Sequence, residues 1–564
     1  MKYIYLIGAL LLVNIVASTY YCRLDMTQER RYTLSDVTKQ YLAELDSQVF
    51  IRIYLDGQLN PGFSRLQRST CEMVDEMRAQ ADVSFSRVVV DPHELSEREF
   101  ERFNDKLADN GLAGIPVFET KEDGQKTRTV VYPFALVQVG SRQMFVNLLE
   151  NQPGLSGEEN LGRSVENLEY KLINAIRRLS VEHKPRVAFI EGHGELDEVD
   201  VVDAADALSA HFAVDRGAIN GDLKILEPYK AVIIAKPTQM IPEADKYVLD
   251  QYIMHGGRVL WMIDAVAMTL DSLRTSPQTI GLLHDCNLDD QLFVYGYRVN
   301  PVVVEDMSCS MVPISVNTQG NNQIVPMPWH FSPLFSANNR HSVTKGISLV
   351  RGDFTSTIDT VGVQDERSPI RRVPLLRTSA YTRVNRTPIM ATLMTIHEKA
   401  DPAEFKQQHL PVAVLSEGTF KSSFTRRPIP SGVRNAERVD RREVSETTKM
   451  IVVGDGDIIR NEVRFRNTAS PQVTPLGYDE MSRQTFGNKD FIVNAIQYLA
   501  DDDGLMQLRN RTFQLRLLDK ARIAQGTTLY KVMAFGVPIL FVVVFGIAVV
   551  VVRRVKFSYK REAK

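Results

Sequence analysis

Two uncharged apolar segments, one near each end, limit what this chain can fold into. Residues 3–21 (YIYLIGALLLVNIVASTYY) and 532–552 (VMAFGVPILFVVVFGIAVVVV) contain no charged side chain. A helix needs about 20 consecutive apolar residues to cross a bilayer, and both segments reach that length. We therefore predict two transmembrane helices, over residues 1–21 and 529–552.

The charges beside these segments predict an orientation. Lys2 precedes the first segment, and Arg553, Arg554 and Lys556 follow the second. Because positively charged flanks remain in the cytoplasm, we expect both termini, including the basic tail 553–564, to be cytoplasmic. The chain between the helices would then be periplasmic, outside the cytoplasmic (inner) membrane. The alternative for the first segment is a cleaved signal peptide, but no clean small-residue site precedes Thr19.

The composition of the chain argues against several classes of function. Its 564 residues are 44% hydrophobic and 24% charged, with a formal net charge of −2, so no global field favours nucleic acid. The four cysteines are scattered, with no CxxC pair and no histidine at metal-ligand spacing. We expect no metal, no cofactor and no nucleic-acid partner.

Residues 22–162 predict a first periplasmic α/β domain. Strand-like runs at 48–55 (QVFIRIYL) and 83–91 (VSFSRVVVD) alternate with helical patterns, and further strands follow. This order suggests a thioredoxin-like plan, but without CxxC no redox role follows. A connecting helix is expected over 163–183, capped by Ser164 and preceded by a loop.

Residues 184–503 predict a second α/β domain, Rossmann-like or amidotransferase-like. Continuous apolar runs such as 230–237 (KAVIIAKP) are typical of strands buried on both faces, and they alternate with helices. The expected fold is a doubly wound, largely parallel sheet, interrupted by a β-rich insertion at about 285–447. A juxtamembrane helix is expected over 504–528, with Leu505 and Leu508 among its packing residues.

The sequence EGHGE is the first candidate site. Glu191, His193 and Glu195 follow a predicted strand, and ligands of doubly wound sheets bind at the carboxyl ends of strands. A histidine near neutral pKa could act there as acid, base or ligand. The structural alternative is a tight glycine turn whose Glu195 favours the following helix.

The second candidate is GDGD, with Asp455 and Asp457 in a glycine turn after another core strand. Two carboxylates at this spacing could bind a divalent cation, but no EF-hand glutamate follows. An Asx turn is the structural alternative. The two turns could share one rim, which the sequence does not decide.

Nucleophilic catalysis has little support in the sequence. Class I glutamine amidotransferases place a cysteine at a strand-to-helix elbow, and no cysteine follows a predicted core strand here. No GxSxG elbow is present, and no Walker A motif indicates ATP binding. We therefore expect that the chain is not an enzyme.

An ordered series of motifs resembles the GldG family. The series is RLDMTQERRYTLSDVTKQ, SVENLEYKLINAIRRL, EGHGE, DSLRTSPQT, LDDQLFVYGYRVNPVVVEDMSC, VLSEGTFKSSF, VVGDGDIIRNE and LRNRTFQLRLLDKARI. It extends over nearly the whole chain. GldG-like proteins are membrane-anchored auxiliary, or "substrate-binding", proteins of a gliding-motility-associated ABC transporter. The extracytoplasmic unit also resembles a domain of intraflagellar transport proteins, which by itself implies no activity.

The resemblance implies a set of partners: a multi-span ABC permease, a cytoplasmic ATPase and an unknown envelope substrate. Anchors at both ends suit a permanent, non-catalytic accessory subunit better than a shuttle that delivers ligand. Two alternatives are kept: a periplasmic ligand-binding or sensing module that uses the EGHGE rim, and a cryptic hydrolase.

Overall fold

The computed structural model describes residues 33–120, 126–152, 155–318, 321–362, 370–394, 396–398, 400–466, 468, 470–510 and 520–558. The chain divides into two compact units, residues 1–511 and 512–564. The predicted first transmembrane helix, residues 1–21, lies outside the described residues.

The described residues contain long and short α-helices together with short 3-10 helices. They are α1 (Asp36–Ala43), α2 (Pro61–Gln80), α3 (Glu97–Asp109), α4 (Gly157–Glu166), α5 (Leu168–Ser180), α6 (Glu198–Ser209), α7 (Glu243–Met254), α8 (Asp289–Tyr295), α9 (Asn488–Leu499) and α10 (Lys520–Ser558). Short 3-10 helices lie at Pro92–Glu94, Leu270–Arg274, Pro402–Glu404, Ala436–Arg438, Asp457–Ile459 and Leu505–Asn510.

The strands are more numerous and many are short. Up to residue 283 they are β1 (Val49–Ile53), β2 (Phe85–Val89), β3 (Ile115–Thr120), β4 (Lys126–Val131), β5 (Phe134–Val139), β6 (Arg142–Asn147), β7 (Arg186–Glu191), β8 (Ala213–Ala218), β9 (Tyr229–Ala235), β10 (Arg258–Met262), β11 (Val266–Ala267) and β12 (Gln278–Leu283). The later ones are β13 (Tyr297–Val299), β14 (Val302–Asp306), β15 (Cys309–Thr318), β16 (Asn321–Ala337), β17 (Val350–Arg351), β18 (Ile358–Thr360), β19 (Ile370–Arg377), β20 (Thr382–Arg386), β21 (Ile389–Thr392), β22 (Pro411–Gly418), β23 (Thr448–Val453), β24 (Val463–Arg464), β25 (Gln472–Val473), β26 (Tyr478–Asp479) and β27 (Gln484–Thr485).

The first part of the chain forms a small mixed sheet in the order β2-β1-β5-β6. β1 is parallel to β2 and antiparallel to β5, and β6 continues the sheet antiparallel. A βαβ unit followed by a hairpin and the helix α5 is the connectivity of a thioredoxin-like plan. Its core joins Ile51, Val137, Leu66 of α2 and Ile173 of α5.

A second, larger sheet contains parallel strands in the order β8-β7-β9-β10-β23. Numbered along the chain, this is the order 2-1-3-4-5, a common doubly wound arrangement. Alternate residues point to opposite faces of a strand, and both faces here are apolar. Val187 and Phe189 of β7 pack with α6 and α9, while Ala188 and Ile190 pack on the side of α7 and α8.

The insertion differs from the expectation of a largely parallel sheet with a separate β-rich excursion. β22 pairs with β23 antiparallel, and β19, β16 and β15 extend the same sheet beyond it. The sheet is therefore mixed. The physical reason is that β23 would otherwise expose the unpaired N–H and C=O groups of a sheet edge, which β22 satisfies.

The connecting helix also differs from the prediction. The residues expected to form a loop before Ser164 are helical, because Ser156 and Glu159 form a capping box that starts α4 at Gly157. Ser164 is no cap: its hydroxyl is buried, donates to the carbonyl of Asn160 and accepts from the amide of Glu150. α5 then begins after Asn167.

The predicted juxtamembrane helix, 504–528, does not start as one α-helix. Gly504 adopts φ +75°, and Leu505–Asn510 forms a 3-10 helix instead. Leu505 and Leu508 pack into the core of the first sheet, while Met506 packs with α6 and α9. Contact with two cores selects this short segment over a solvent-facing helix. Residues 511–519, with Phe513 and Leu517, lie outside the described residues.

The C-terminal unit contains α10. Its backbone leaves helical geometry at Gly526, and Pro538 is accommodated inside the helix. Within the described residues, one helix, Gly526–Arg554, is long and apolar enough to cross a membrane. The predicted bounds of the second apolar helix, 529–552, lie inside this range.

Candidate functional site at the carboxyl edge of the parallel strands

The place where a doubly wound sheet usually binds ligands can be located from strand order. In the order 2-1-3-4-5, the connections leave the first and third strands toward opposite faces and open a crevice between them. Here those strands are β7 and β9. EGHGE follows β7 and Lys236 follows β9, so both lie at this switch point.

The chain itself fills the crevice. The amides of Thr238 and Gln239, in the loop after β9, both donate to the carbonyl of His193 at 3.0 and 2.9 Å. The amide of Leu196 donates to the carbonyl of Ala235 at 3.0 Å. Gly194 has φ +71°, and a Cβ there would overlap the hydroxyl of Thr238. The glycine turn is therefore needed for this close approach of two loops.

The imidazole of His193 is held by carboxylates on both nitrogens. Nδ1 lies 2.9 Å from Oε1 of Glu195, and Nε2 lies 2.9 Å from Oδ2 of Asp245 in α7. The residue is 4% exposed. Burial alone would lower the pKa of His193, but the hydrogen bonds to Asp245 and Glu195 outweigh it and raise the pKa to about 9. A protonated, enclosed imidazolium cannot act as a general base at neutral pH.

The three candidate site residues of the EGHGE turn do not form one cluster. Glu195 is buried with His193 and also accepts from its backbone amide at 2.6 Å. Glu191 points elsewhere and pairs with Arg216 of β8, whose Nε lies 2.6 Å from Oε1. The Glu191 side chain is half-exposed, so its carboxylate is the one in this turn that solvent reaches.

Asp455 is buried as a structural acceptor. Its Oδ2 accepts from the amide of Asp353 at 2.8 Å and from the hydroxyl of Thr355, and its Oδ1 accepts from the amide of Asp457 at 2.8 Å. The last bond is the Asx-turn contact. Burial, together with the charges of Asp264 and Asp457, raises the pKa of Asp455 well above its ordinary value.

Asp457 joins an ion cluster around Lys236. The Lys236 ammonium pairs with Asp457 and lies 3.0 Å from Oδ2 of Asp264, which follows β10. All three side chains are nearly buried. Gly456 is required here, because a Cβ would overlap the Lys236 side chain. The amide of Gly456 donates to Asp264 at 2.5 Å. Burial would lower the pKa of Lys236, but the two carboxylates outweigh it and raise the pKa.

Two cavities open beside this cluster. One of about 400 Å³ is lined by Lys236, Asp264 and His284 with apolar neighbours. The other, about 540 Å³, is lined by Asp353, Asp457, Arg460 and the residues that follow it. Neither lining includes Glu191, His193 or Glu195. The open space thus lies at the carboxyl ends of β9, β10 and β23, on the Lys236 side of this edge and not against the EGHGE turn.

Sequence reasoning missed Lys236, Asp264 and Asp245. A signal for the first two was present, because each directly follows a continuous apolar strand, as EGHGE does. Asp245 carried none, since it is one acidic residue in the first turn of a helix. Among the described residues, no group of three or more His, Cys, Asp or Glu side chains is arranged to hold a metal ion.

The fold and this edge define a class: a doubly wound α/β protein whose sheet is extended by an insertion and whose chain continues into a long apolar helix. A family model described as "ABC-type uncharacterized transport system" matches residues 184–495, more than half of the chain. The chain belongs to this family of ABC-transporter auxiliary proteins, which assigns it an accessory role in an ABC transport system. A second model, described as a domain of unknown function, matches residues 28–138.

Comparison with solved structures gives remote similarities. The mmIFT52 N-terminal domain has 14% identity and a TM-score of 0.31, and the match covers 56% of this chain and 96% of that one. An exo-beta-1,4-mannosidase from an Opitutaceae bacterium has 10% identity and a TM-score of 0.18, over 70% of this chain and 46% of that one. No match was found among curated protein sequences.

Proposed function

We propose that this protein is a non-catalytic, membrane-anchored periplasmic subunit of a GldG-like ABC transporter linked to gliding motility or envelope secretion. It would contact a multi-span permease and a cytoplasmic ATPase. The proposal depends on one observation: the same chain contains the transport-system domain, at residues 184–495, and the apolar helix Gly526–Arg554. A soluble carrier would not need such a helix.

The non-catalytic part of the proposal draws on the geometry of the edge. The switch-point crevice is filled by hydrogen bonds between the loops after β7 and β9. His193 is enclosed by Glu195 and Asp245. Asp455 is used to fix its own turn. These contacts support a structural use of both candidate motifs.

Affinity purification from native membranes in mild detergent tests the proposal. We expect the tagged full-length protein to co-purify with a permease and its ATPase, identified by mass spectrometry. The matched control replaces residues 526–554 by an unrelated single-span helix of equal length, which should keep the protein in the membrane but lose the permease. Purification of the natural protein without any permease would contradict the proposal.

The ligand-binding alternative was expected to use the EGHGE rim, which does not line the 400 Å³ cavity. That cavity, beside Lys236 and Asp264, favours a ligand-binding function at a different part of the same edge. Thr279→Trp, at the wall of that cavity, would fill it while leaving the ion cluster in place. If the transport phenotype is lost while the permease still co-purifies, the sensing function is favoured. An unchanged phenotype supports the subunit without a ligand at this cavity.

A further inference from the structure

A third cavity lies away from the candidate site, in a cleft between the two sheets of the first compact unit. Its volume is about 580 Å³, within the ~300–1,000 Å³ range of small-molecule sites. One wall comes from α5 and β6, and the other from residues 210–212, just before β8, and from α9. Leu505 and Met506 of the 3-10 helix also line the cleft. Clefts between domains are a preferred place for ligands.

The wall of the cleft is largely apolar. The half-buried Met144 and the buried side chains Leu179, Phe212, Leu505 and Met506 line it. Val181, at the end of α5, also lines the cleft and is 41% exposed, so its side chain is open to a ligand. An apolar body of a ligand would cover this surface and remove it from water.

Of the four Lys and Arg side chains that line the cleft, two pair with carboxylates, one of which, Asp503, also lines it. Arg177 pairs with Asp501 and Asp503, and Lys230 pairs with Asp502. Arg178 and Lys184 form no ion pair among the described residues. Each donates one hydrogen bond to a carbonyl, to Ala210 at 2.6 Å and to Ser209 at 2.7 Å respectively. A guanidinium has five N–H donors and an ammonium three, so both retain donors for a ligand.

The pKa of His211 shows that this wall of the cleft is positively charged. Burial, and then the positive charges of Arg178 and Lys184, lower the pKa of His211 to about 3. The ring is therefore neutral, and the positive charge of the two neighbours is what a bound anion would meet.

We infer that this cleft binds a single-chain amphiphile with a negatively charged head: the chain lies against Leu179, Val181 and Phe212, and the head is held by Arg178 and Lys184. Charge complementarity selects an anionic head over a cationic one. The apolar wall selects an amphiphile over a small inorganic anion. This inference does not depend on which transporter the protein serves.

Photocrosslinking tests it on the full-length protein in phosphatidylcholine nanodiscs. The probe is a palmitic acid that carries a diazirine in its chain, and labelled peptides are mapped by mass spectrometry. We expect label in the segments around Leu179–Val181 and Ala210–Phe212. Dodecyl phosphate should compete, whereas inorganic phosphate at the same concentration should not.

Two variants separate the parts of the inference. Arg178→Gln with Lys184→Gln should lower labelling by about tenfold, the loss expected when charge-assisted hydrogen bonds to the head are removed. Arg98→Gln with Arg386→Gln is the matched control, because both arginines are exposed and neither lines the cleft. Val181→Trp should block labelling by filling the cleft at an exposed position.

Several outcomes would overturn the inference. Label spread over the surface, equal labelling by the corresponding diazirine alcohol, or full labelling of the double glutamine variant would each exclude recognition of an anionic head. Competition by inorganic phosphate as strong as that by dodecyl phosphate would make this a simple anion site.

Discussion

His193 looks reactive in the sequence, whereas in the fold its ring is buried between two carboxylates. Histidine is the side chain that most often acts as a general acid or base. In the folded chain, Glu195 and Asp245 each take one ring nitrogen, and the ring is buried. These two carboxylates keep the ring protonated, and through them the ring connects the turn after β7 to α7.

A pH prediction follows for His193. Its pKa is raised to about 9 in the folded state, against about 6.5 when unfolded. The protonated ring therefore adds about 3 kcal/mol to the free energy of unfolding. This contribution is fully present below pH 6.5 and is lost as the pH rises from 6.5 to 9. Pulse proteolysis in urea should show it for the natural protein. His193→Gln should show a much flatter profile across the same pH window, and an equal slope in both would contradict the assignment.

Lys236 carries a second residue-scale prediction. Lys236→Met would leave Asp264 and Asp457 buried without their cation, so we expect unfolding free energy to fall by about 3–5 kcal/mol. Lys39→Met is the control, because Lys39 pairs with a fully exposed Asp36 and should cost under about 1 kcal/mol. Adding Asp457→Asn to Lys236→Met should recover part of the loss. Urea denaturation followed by circular dichroism measures all three.

At the scale of elements, two segments are defined by the distant parts of the chain against which they pair or pack. The insertion supplies β22, whose antiparallel pairing closes the edge that β23 would leave open. The 3-10 helix Leu505–Asn510 lies where the chain leaves the sheet domain and inserts apolar side chains between two cores. Both arrangements depend on contacts between residues far apart in the sequence.

The 3-10 helix gives an element-scale prediction. Leu505→Ala removes a buried side chain from the core of the first sheet and should cost about 2–5 kcal/mol. Leu282→Ala is the comparison, since Leu282 is 56% exposed and should change stability by less than about 0.5 kcal/mol. Thermal unfolding in detergent distinguishes them. Equal melting temperatures would mean that the segment does not hold the first sheet to the rest of the unit.

At the scale of the whole molecule, the long apolar helix and the basic residues after it predict how the protein is placed in a membrane. Gly526–Arg554 has the length and composition of a span. Arg553, Arg554 and Lys556 predict that the chain after it is cytoplasmic. The domains before it would then be periplasmic, where they could reach the outer face of a permease.

Reporter fusions test this orientation. Green fluorescent protein fused after Lys564 should fluoresce, because it folds in the cytoplasm. Alkaline phosphatase fused after Asn510 should be active, because it needs the oxidising periplasm. Replacing Arg553, Arg554 and Lys556 by glutamine should weaken the preference. Activity of the phosphatase at the C-terminus, with a dark fluorescent fusion there, would reverse the predicted topology.

The sequence by itself determined the properties that are local or periodic. Charge-free segments, continuous apolar strands and glycine turns are read within a few residues, so the apolar helix, the alternation of β7, β9 and β10 with helices, and the turns EGHGE and GDGD were all predictable. The mixed α/β class followed from the same patterns. The capping box at Ser156 is equally local, so the start of α4 was predictable as well.

Only the tertiary structure decided which of these features are open and which are enclosed. The pairing of His193 with Asp245 joins residues 52 apart, and that of Lys236 with Asp457 joins residues 221 apart. The cleft brings α5 together with residues 210–212, just before β8, and with Leu505. Sequence periodicity records which face of an element is buried but not what covers it. The partner of a charged side chain, which fixes its chemistry, is set by that long-range packing.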